Sequence, residues 1–175
     1  TRVIYAGEPF PAAALRQWMA LLPGARFFNF FGPTETNVCT FHPLTGPPGP
    51  DGEVPIGTAA SGCTLRIVDR SGADSDVGEL WVSGPSVMTG YRGLPEQTAA
   101  RFADWQGRRY LRTGDQVRRD ADGLLWFLGR RDTMLKVRGF RIQPEEIEAV
   151  LCGEDGVEAA RAGLRDGKLV AEVVL

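Results

Sequence analysis

The sequence predicts an α/β fold followed by a smaller α+β unit, and three patterns along the chain support this fold class. Residues 1–31 read as a strand, a helix and a second strand. Residues 64–128 contain short runs of alternating apolar residues that are separated by Gly and Pro turns. Residues 134–175 read as a hairpin, a helix and a further hairpin. Because these patterns change along the chain, we expect two units of different architecture.

The first segment predicts a β-α-β arrangement. Thr1–Tyr5 is a β-branched run typical of a buried strand. Pro11–Leu22 has apolar residues at helical spacing, and Pro23 and Gly24 end it. Arg26–Phe31 is the second strand. Functional residues in such folds lie at the ends of strands.

The middle segment predicts a small antiparallel sheet or a distorted barrel. His42–Gly57 is rich in Pro and Gly without a period, which indicates a loop. Thr64–Asp69, Gly78–Ser83 and Gly123–Leu128 are predicted strands. Glu96–Phe102 follows Pro95 and is a predicted short helix.

The last segment predicts a hairpin, a helix and two further strands. Met134–Val137 and Phe140–Ile142 form the first hairpin, and Pro144–Leu151 has the proline and early glutamates of a helix start. Val157–Leu164 and Leu169–Leu175 flank Asp166-Gly167, a hairpin turn signal.

A change in the sequence pattern near Asp132 predicts a boundary between two subdomains, residues 1–131 and 132–175. The antiparallel pattern ends at Gly129-Arg130-Arg131-Asp132, where a charged run replaces alternating apolar residues.

The composition is that of a globular protein. The 175 residues are 43% hydrophobic and 24% charged, and the net charge of −2 gives no electrostatic argument for nucleic acid or an anionic membrane as a partner. No apolar run approaches the roughly 20 residues that cross a bilayer, and no signal peptide opens the chain, so a cytoplasmic location is expected.

The cysteine and histidine content limits the kinds of site that we expect in this chain. Cys39, Cys63 and Cys152 are odd in number and widely spaced, which is typical of thiols in a reducing compartment. With His42 as the one histidine, a histidine metal cluster or a Ser-His-Asp triad is not expected.

The stretch from Asn29 to Cys39 is the first candidate site. Gly32 and Pro33 fix a turn that presents the hydroxyl of Thr34 and the carboxylate of Glu35. A hydroxyl and a hard carboxylate oxygen suit a nucleotide with its magnesium ion. A surface turn with an ordinary acidic residue is the alternative.

Four further charged positions are candidates. Asp115 follows a Thr-Gly pair just past a predicted strand, and its carboxylate could accept from both hydroxyls of a ribose; an ordinary hairpin turn is the alternative. Arg130 suits a phosphate or ribose, or is a solvated surface charge. Lys136 and Arg138 share one side of a hairpin, where they would also protect an exposed edge.

The order of four motifs resembles the adenylate-forming enzymes, and more narrowly the adenylation domains of non-ribosomal peptide synthetases. The motifs are G-P-T-E, G-E-L-x-V-x-G-P, Y-x-R-T-G-D and G-R-R-D-x-x-x-K-V-R-G-F-R-I-x-P-x-E-I-E. The resemblance covers essentially the whole chain. It implies the C-terminal part of the large core, with a strand-helix-strand and a distorted antiparallel β-barrel, and then the start of a small C-terminal subdomain, both incomplete.

The resemblance implies a two-step reaction. An amino acid and ATP give an aminoacyl-AMP and pyrophosphate, and the phosphopantetheine thiol of a peptidyl carrier protein then displaces AMP. ATP and Mg²⁺ are the implied cofactors. A small amino acid and the carrier protein are the implied partners, and a small activator protein is a further candidate.

By resemblance, Glu35 helps to hold Mg²⁺ and Thr34 contacts the α-phosphate region. Asp115 takes the ribose hydroxyls, and Arg130 assists at the ribose or phosphate. Asn29 and Phe31 bracket the adenine, and Gly32 beside them also belongs to the nucleotide site. The family usually has Tyr where Phe31 stands, so the stacking face is kept and a hydroxyl is lost.

The resemblance also assigns the second subdomain and the amino acid pocket. Asp132 matches the hinge, and Lys136 lies in the loop that swings in for thioester formation. The substrate pocket is implied to include five apolar or small residues: Ile4, Ala6, Phe30, Val38 and Cys39. Such a lining argues against a charged substrate side chain, and bulky Phe30 shortens the pocket. We therefore expect a small apolar amino acid, proline first.

Two alternatives remain open. An acyl- or aryl-CoA ligase would use free coenzyme A, and a non-catalytic binding or scaffolding module would retain the fold alone. The family's phosphate loop would precede Thr1 and its C-terminal catalytic lysine would follow Leu175. The 175-residue piece alone is therefore expected to be inactive.

Overall fold

The computed structural model describes residues 1–49, 52–131, 134–137 and 140–175. The chain divides into two compact units, residues 1–131 and 132–175. The predicted hinge residue Asp132 lies outside the described residues.

The first unit contains two helices and nine strands among its described residues. They are β1 (Arg2–Ala6), α1 (Ala12–Leu21), β2 (Arg26–Phe31), β3 (Thr40–Leu44), β4 (Thr58–Ala59), β5 (Thr64–Val68), β6 (Val77–Ser83), α2 (Pro95–Arg101), β7 (Phe102–Trp105), β8 (Arg108–Arg119) and β9 (Leu125–Arg130).

A four-stranded sheet has the order β1-β2-β3-β4, in which β1 and β2 are parallel and joined by α1. This confirms the predicted β-α-β arrangement. The loop predicted from His42 onwards is wrong at its start, because residues 42–44 belong to β3. Pro43 suggested a loop, but β4 pairs only with Thr40 and Phe41. The missing N–H of Pro43 is therefore tolerated on an edge that no β4 residue covers.

Strand β2 presents different side chains on the two faces of this sheet, because successive side chains of a strand point to opposite sides. Phe28 and Phe30 share one face, whereas Phe27, Asn29 and Phe31 share the other. Phe27 is fully buried. One strand thus carries two separate side-chain surfaces.

The second sheet is antiparallel, with the order β5-β6-β8-β7 and with β9 also paired to β8. Strand β8 is the longest, and it changes partner along its length. Its first residues pair with β7, and residues from Asp115 onwards pair with β9. The other edge of β8 pairs with β6 at residues 111–112 and 116–118.

A bulge interrupts the β6–β8 pairing at the point where β8 changes partner. Glu79 lies opposite Gln116 and Trp81 lies opposite Arg112, so Leu80 alone faces residues 113–115. Asp115 was expected just past the end of a strand, and that placement is wrong: the Thr-Gly-Asp motif lies inside β8. The positive φ of Gly114, 77°, provides the turn-like backbone within a continuous strand.

The core of the first unit is a cluster of buried apolar side chains from the antiparallel sheet and from the loop positions just before β3 and β4. Its members are Cys39, Ile56, Ile67, Leu80, Val82, Val117 and Leu125. Phe31 and Cys63 pack against this cluster. Burying each large aliphatic side chain contributes about 1.5–3 kcal/mol, so the cluster fixes the sheet positions on which the site depends.

The second unit contains β10 (Leu135–Val137), β11 (Phe140–Ile142), α3 (Pro144–Leu151), β12 (Ala159–Arg165) and β13 (Lys168–Val174). Each pair of strands forms an antiparallel hairpin, as predicted. Asp166 and Gly167 have φ values of 52° and 71°, as a tight hairpin turn requires. The carboxylate of Glu148 on α3 accepts the N–H of Ala162 at 2.8 Å and ties the helix to the second hairpin.

No helix within the described part of the chain is long and apolar enough to span a membrane.

The turn after β2 is closely packed on itself, and Gly32 is the residue that permits this. A Cβ atom at Gly32 would lie 1.9 Å from the carbonyl oxygen of Asn37. The N–H of Cys39 donates to the carbonyl of Phe31 at 2.9 Å and closes the turn. The backbone of residues 32–38 therefore has no room for any side chain at position 32.

We expect Gly32→Ala to lower the free energy of unfolding by about 2 kcal/mol or more, because the clash is with backbone atoms that cannot rotate away. Urea unfolding measures the change. Gly46→Ala is the matched control, since no atom lies within 4 Å of its added Cβ and its φ is not positive. Equal stability of the two variants would contradict the packing described for this turn.

Burial controls the reactivity of the three thiols. Burial raises the pKa of Cys39 from 9.0 to about 12, whereas Cys152 is exposed. Because the thiolate is the reactive form, iodoacetamide near neutral pH should modify Cys152 first and leave Cys39 unmodified until the protein unfolds. Mass spectrometry of the peptides measures this order. Equal rates at Cys39 and Cys152 in folded protein would contradict it.

Candidate active site

A buried ion pair between Asp115 and Arg130 lies at the centre of the site. The two residues are directly opposite each other on β8 and β9. Nη1 of Arg130 donates to Oδ1 of Asp115 at 2.6 Å, and the side chains are 8% and 2% exposed. Nη2 of Arg130 also donates to the carbonyl of Thr113 at 3.2 Å. The guanidinium therefore holds both the carboxylate and the backbone of the bulge.

Side chains satisfy the backbone groups that the bulge removes from the β6–β8 ladder. The hydroxyl of Thr113 donates to the carbonyl of Leu80 at 2.7 Å and accepts the N–H of Asp115 at 3.0 Å. The N–H of Gly114 donates to Oε1 of Glu79 at 3.0 Å. These bonds hold the carboxylate of Asp115 on a rigid backbone.

The carboxylate of Glu35 is held from the segment between β6 and α2. Glu35 is 8% exposed, and the hydroxyl of Tyr91 donates to its Oε1 at 2.6 Å. The N–H of Met88 donates to the Glu35 carbonyl at 2.8 Å. Thr34 is exposed beside it. The G-P-T-E turn thus presents one exposed hydroxyl and one oriented, nearly buried carboxylate.

A small cavity joins this turn to the bulge of β8. It is lined by Pro33, Glu35, Arg101, Leu111, Arg112 and Thr113. Two guanidinium groups and the carboxylate of Glu35 meet at this cavity. Sequence analysis missed both arginines and Tyr91. Arg112 lies within the Y-x-R-T-G-D motif, which was a usable signal, but nothing local in the sequence links Tyr91 to Glu35.

Asn29 and Phe31 lie on the same face of β2, away from Phe30. The side-chain amide of Asn29 donates to the carbonyl of Pro55 at 2.9 Å. The ring of Phe31 lies 5.6 Å from that of Phe127 on β9, between centroids. Phe127 was not identified from the sequence, and it brings β9 against the strand that carries the proposed adenine-side residues.

A second cavity of about 320 Å³ lies on the opposite face of β2. Its lining residues are Arg2, Ile4, Arg26, Phe28, Phe30 and Phe41. Phe41 is paired with Phe30 in register, and their ring centroids are 6.4 Å apart. Sequence analysis named Ile4 and Phe30 for the substrate pocket but missed Phe28 and Phe41. The two-residue spacing of Phe28 and Phe30 on β2 could have identified the first of these.

The other three predicted pocket residues have different positions. Ala6 is paired in register with Phe30. Val38 is half-buried, and Cys39 is fully buried in the core cluster. The structure therefore places Ile4 and Phe30 at one cavity, and Cys39 away from it among core side chains.

In the second unit, Lys136 lies on β10 opposite Arg141. The structure does not describe the side chains of these two residues, and Asp132 lies outside the described residues.

The donor set fits a magnesium ion that is held mainly by a ligand. Among the described residues no group of three or more His, Cys, Asp or Glu side chains could form a metal cage. Mg²⁺ usually binds one or two carboxylates together with substrate phosphates and water. Glu35, oriented by Tyr91 next to Thr34, meets that requirement.

Comparison with known proteins identifies the family of this chain. The model of the AMP-binding enzyme family matches residues 1–92. The chain is 44% identical over 163 residues to an L-proline–[L-prolyl-carrier protein] ligase of Pseudomonas fluorescens, covering 90% of this chain and 30% of that protein.

Two solved structures are similar to nearly the whole chain. IdnL1 has a TM-score of 0.92 and 34% identity, over 99% of this chain and 38% of that one. Holo-PA1221, a nonribosomal peptide synthetase protein with adenylation and carrier domains, has a TM-score of 0.89 and 26% identity, over 98% of this chain and 32% of that one. The chain thus spans about a third of each relative. These matches confirm the predicted fold class, that of the C-terminal part of adenylation domains. The chain belongs to the AMP-binding enzyme family and is part of an adenylation domain of the kind found in nonribosomal peptide synthetases.

Proposed function

We propose that the protein carrying this chain activates a small apolar amino acid with ATP. The products are an aminoacyl-AMP and pyrophosphate, and the aminoacyl group then passes to the phosphopantetheine thiol of a peptidyl carrier protein. The observation that carries the proposal is the buried Asp115–Arg130 pair, built into a strand bulge of an adenylation fold. A scaffold without chemistry has no need to keep two desolvated charges in this geometry.

Asp115 and Arg130 are the proposed ribose-binding residues. A carboxylate accepts hydrogen bonds only, so Asp115 suits the two hydroxyls of a ribose. The guanidinium of Arg130 keeps that carboxylate ionised and oriented, and it adds positive charge beside the nucleotide. Because the bulge bonds fix both groups beforehand, ATP binding does not have to order them.

Glu35 and Thr34 are the proposed residues at the phosphates. Glu35 would hold Mg²⁺, and when bound the ion neutralises charge on the phosphate oxygens so that an anionic carboxylate can approach. Thr34 is exposed and free to donate its hydroxyl toward the α-phosphate. Arg112 lines the same small cavity as Glu35 and strengthens the positive field there.

Asn29 and Phe31, with the Gly32 turn, are the proposed adenine side of the site. Both side chains lie on the face of β2 that is turned away from the Phe30 cavity. A flat ring at Phe31 offers a stacking surface without the hydroxyl that the family usually has there.

The second half-reaction is proposed to use the unit formed by residues 132–175. Asp132 is the proposed hinge, and Lys136 belongs to the loop that would approach the thiol. Residues 1–131 are the proposed core part and residues 132–175 the start of the mobile subdomain. A small activator protein is a further proposed partner besides the carrier protein.

The substrate side supports a small apolar amino acid. The cavity beside Phe30 is lined mainly by aromatic and aliphatic side chains, and its two arginines are the paired residues Arg2 and Arg26 at the start of the strands. Phe30 and Phe41 fill one end as an edge-to-face pair. The 44% identity to a proline ligase makes proline the first candidate.

The full-length protein is expected to catalyse ATP–pyrophosphate exchange that depends on one small apolar amino acid. Asp115→Asn should reduce kcat/KM by about 10²-fold or more, because the ribose and Arg130 both lose a charged partner. The test compares proline, other amino acids, aryl acids and fatty acids. Exchange with aryl or fatty acids alone would assign a CoA ligase instead, and no exchange by folded protein would favour a scaffold.

Phe30→Ala should broaden acceptance toward larger side chains, because it removes the ring that shortens the cavity. Relative kcat/KM for a larger apolar amino acid against proline is expected to rise by about tenfold or more. Trp18→Ala on α1 is the matched control, since it removes a half-exposed aromatic ring away from this cavity. Unchanged selectivity in Phe30→Ala would contradict the proposed pocket.

A further inference from the structure

We propose that Glu79 is a positioning residue that holds the Asp115 bulge in its active geometry and links it to Arg131. This inference rests on the proposed function, since its catalytic consequence is the binding of ATP at Asp115. Glu79 lies on β6, one position before the residue that faces the bulge, and is 6% exposed.

The first argument is the hydrogen bond to Gly114. The bulge takes the N–H of Gly114 out of the β6–β8 ladder, so a buried donor needs another acceptor. Oε1 of Glu79 provides it at 3.0 Å. Gly114 immediately precedes Asp115, so the direction of its peptide sets where the Asp115 carboxylate points.

The second argument is the charge around the other oxygen of Glu79. Oε2 lies 3.6 Å from Nη1 of Arg131 and 4.0 Å from Nε of Arg112. A carboxylate this deeply buried needs cationic or N–H partners to offset the cost of its removal from water. Here those partners are Arg112 before the bulge, the N–H of Gly114 within it, and Arg131 after β9.

The third argument is that Arg131 is joined to the bulge a second time. Its backbone N–H donates to the carbonyl of Gly114 at 2.8 Å. Glu79 and Arg131 therefore bind both backbone polar groups of Gly114: Glu79 accepts its N–H, and Arg131 donates to its carbonyl. A shift of Arg131 is transmitted to the residue next to Asp115 through two bonds.

Glu79 is not one of the proposed nucleotide-binding residues and acts through Asp115, so its loss should affect ATP binding more than turnover. A displaced Asp115 loses contacts made equally in the ground state and the transition state, which raises KM without lowering kcat. A purely structural role would instead lower the amount of active protein and leave KM for ATP unchanged.

The test compares two replacements of similar length in the full-length protein. Glu79→Met removes every acceptor, and we expect KM for ATP in pyrophosphate exchange to rise by about tenfold or more with kcat changed less than about threefold. Glu79→Gln keeps an acceptor oxygen for Gly114, and KM should recover to within about threefold of the wild type. Asp76→Asn is the control, an exposed carboxylate just before β6 that pairs with Arg119 at 3.6 Å.

Hydrogen exchange at the Gly114 amide gives a readout that does not need activity. We expect faster exchange in Glu79→Met and retained protection in Glu79→Gln. If Glu79→Met does not fold, Glu79→Ser replaces it with the same expected rise in KM. Wild-type KM in folded Glu79→Met or Glu79→Ser, or unchanged protection of the Gly114 amide in that variant, would overturn the inference. Absence of pyrophosphate exchange in the wild type would refute the proposed function, and the Gly114 amide would still decide the role of Glu79.

Discussion

The Asp115–Arg130 ion pair is almost completely removed from water, and that desolvation constrains everything around it. Moving a carboxylate and a guanidinium into the interior costs several kcal/mol per ion unless hydrogen bonds compensate. The structure provides the compensation locally, through a 2.6 Å contact between the two groups and a second bond from Arg130 to the carbonyl of Thr113. The pair therefore requires β8 and β9 to keep one register, because a slip of one residue would turn both side chains to the wrong face.

The change of partner along β8 makes such a site available within a sheet. A strand with continuous neighbours on both edges has no unpaired backbone to arrange around a ligand. On β8 the partner changes from β7 to β9 near Thr113, and the bulge opens the pairing with β6 at the same place. The backbone groups that lose their ladder partners instead form hydrogen bonds with Thr113, Glu79 and Arg131. The irregular backbone at the bulge is thus held in one conformation by hydrogen bonds.

The sequence predicted the elements with strong local signals and missed those that depend on distant partners. The β-α-β start, α3 and both hairpins of the second unit followed from periodicity and turn residues. Strand β3 was missed because Pro43 reads as a loop residue, and only its position beyond β4 makes it acceptable. The Thr-Gly-Asp motif was identified, but its location inside β8 depends on where β7 ends and β9 begins. Tyr91, which lies 56 residues from Glu35, has no signal that a single sequence can provide.

The alternation of side chains along β2 has an evolutionary consequence. Under the proposed assignment, the even-numbered Phe28 and Phe30 face the acid-selecting cavity, and the odd-numbered Asn29 and Phe31 face the nucleotide. Substitutions at the even-numbered positions can change which amino acid is selected, while the nucleotide-facing residues at the odd-numbered positions stay the same. A lineage can therefore acquire new building blocks by single mutations in this strand, without passing through an ancestor that has lost the reaction.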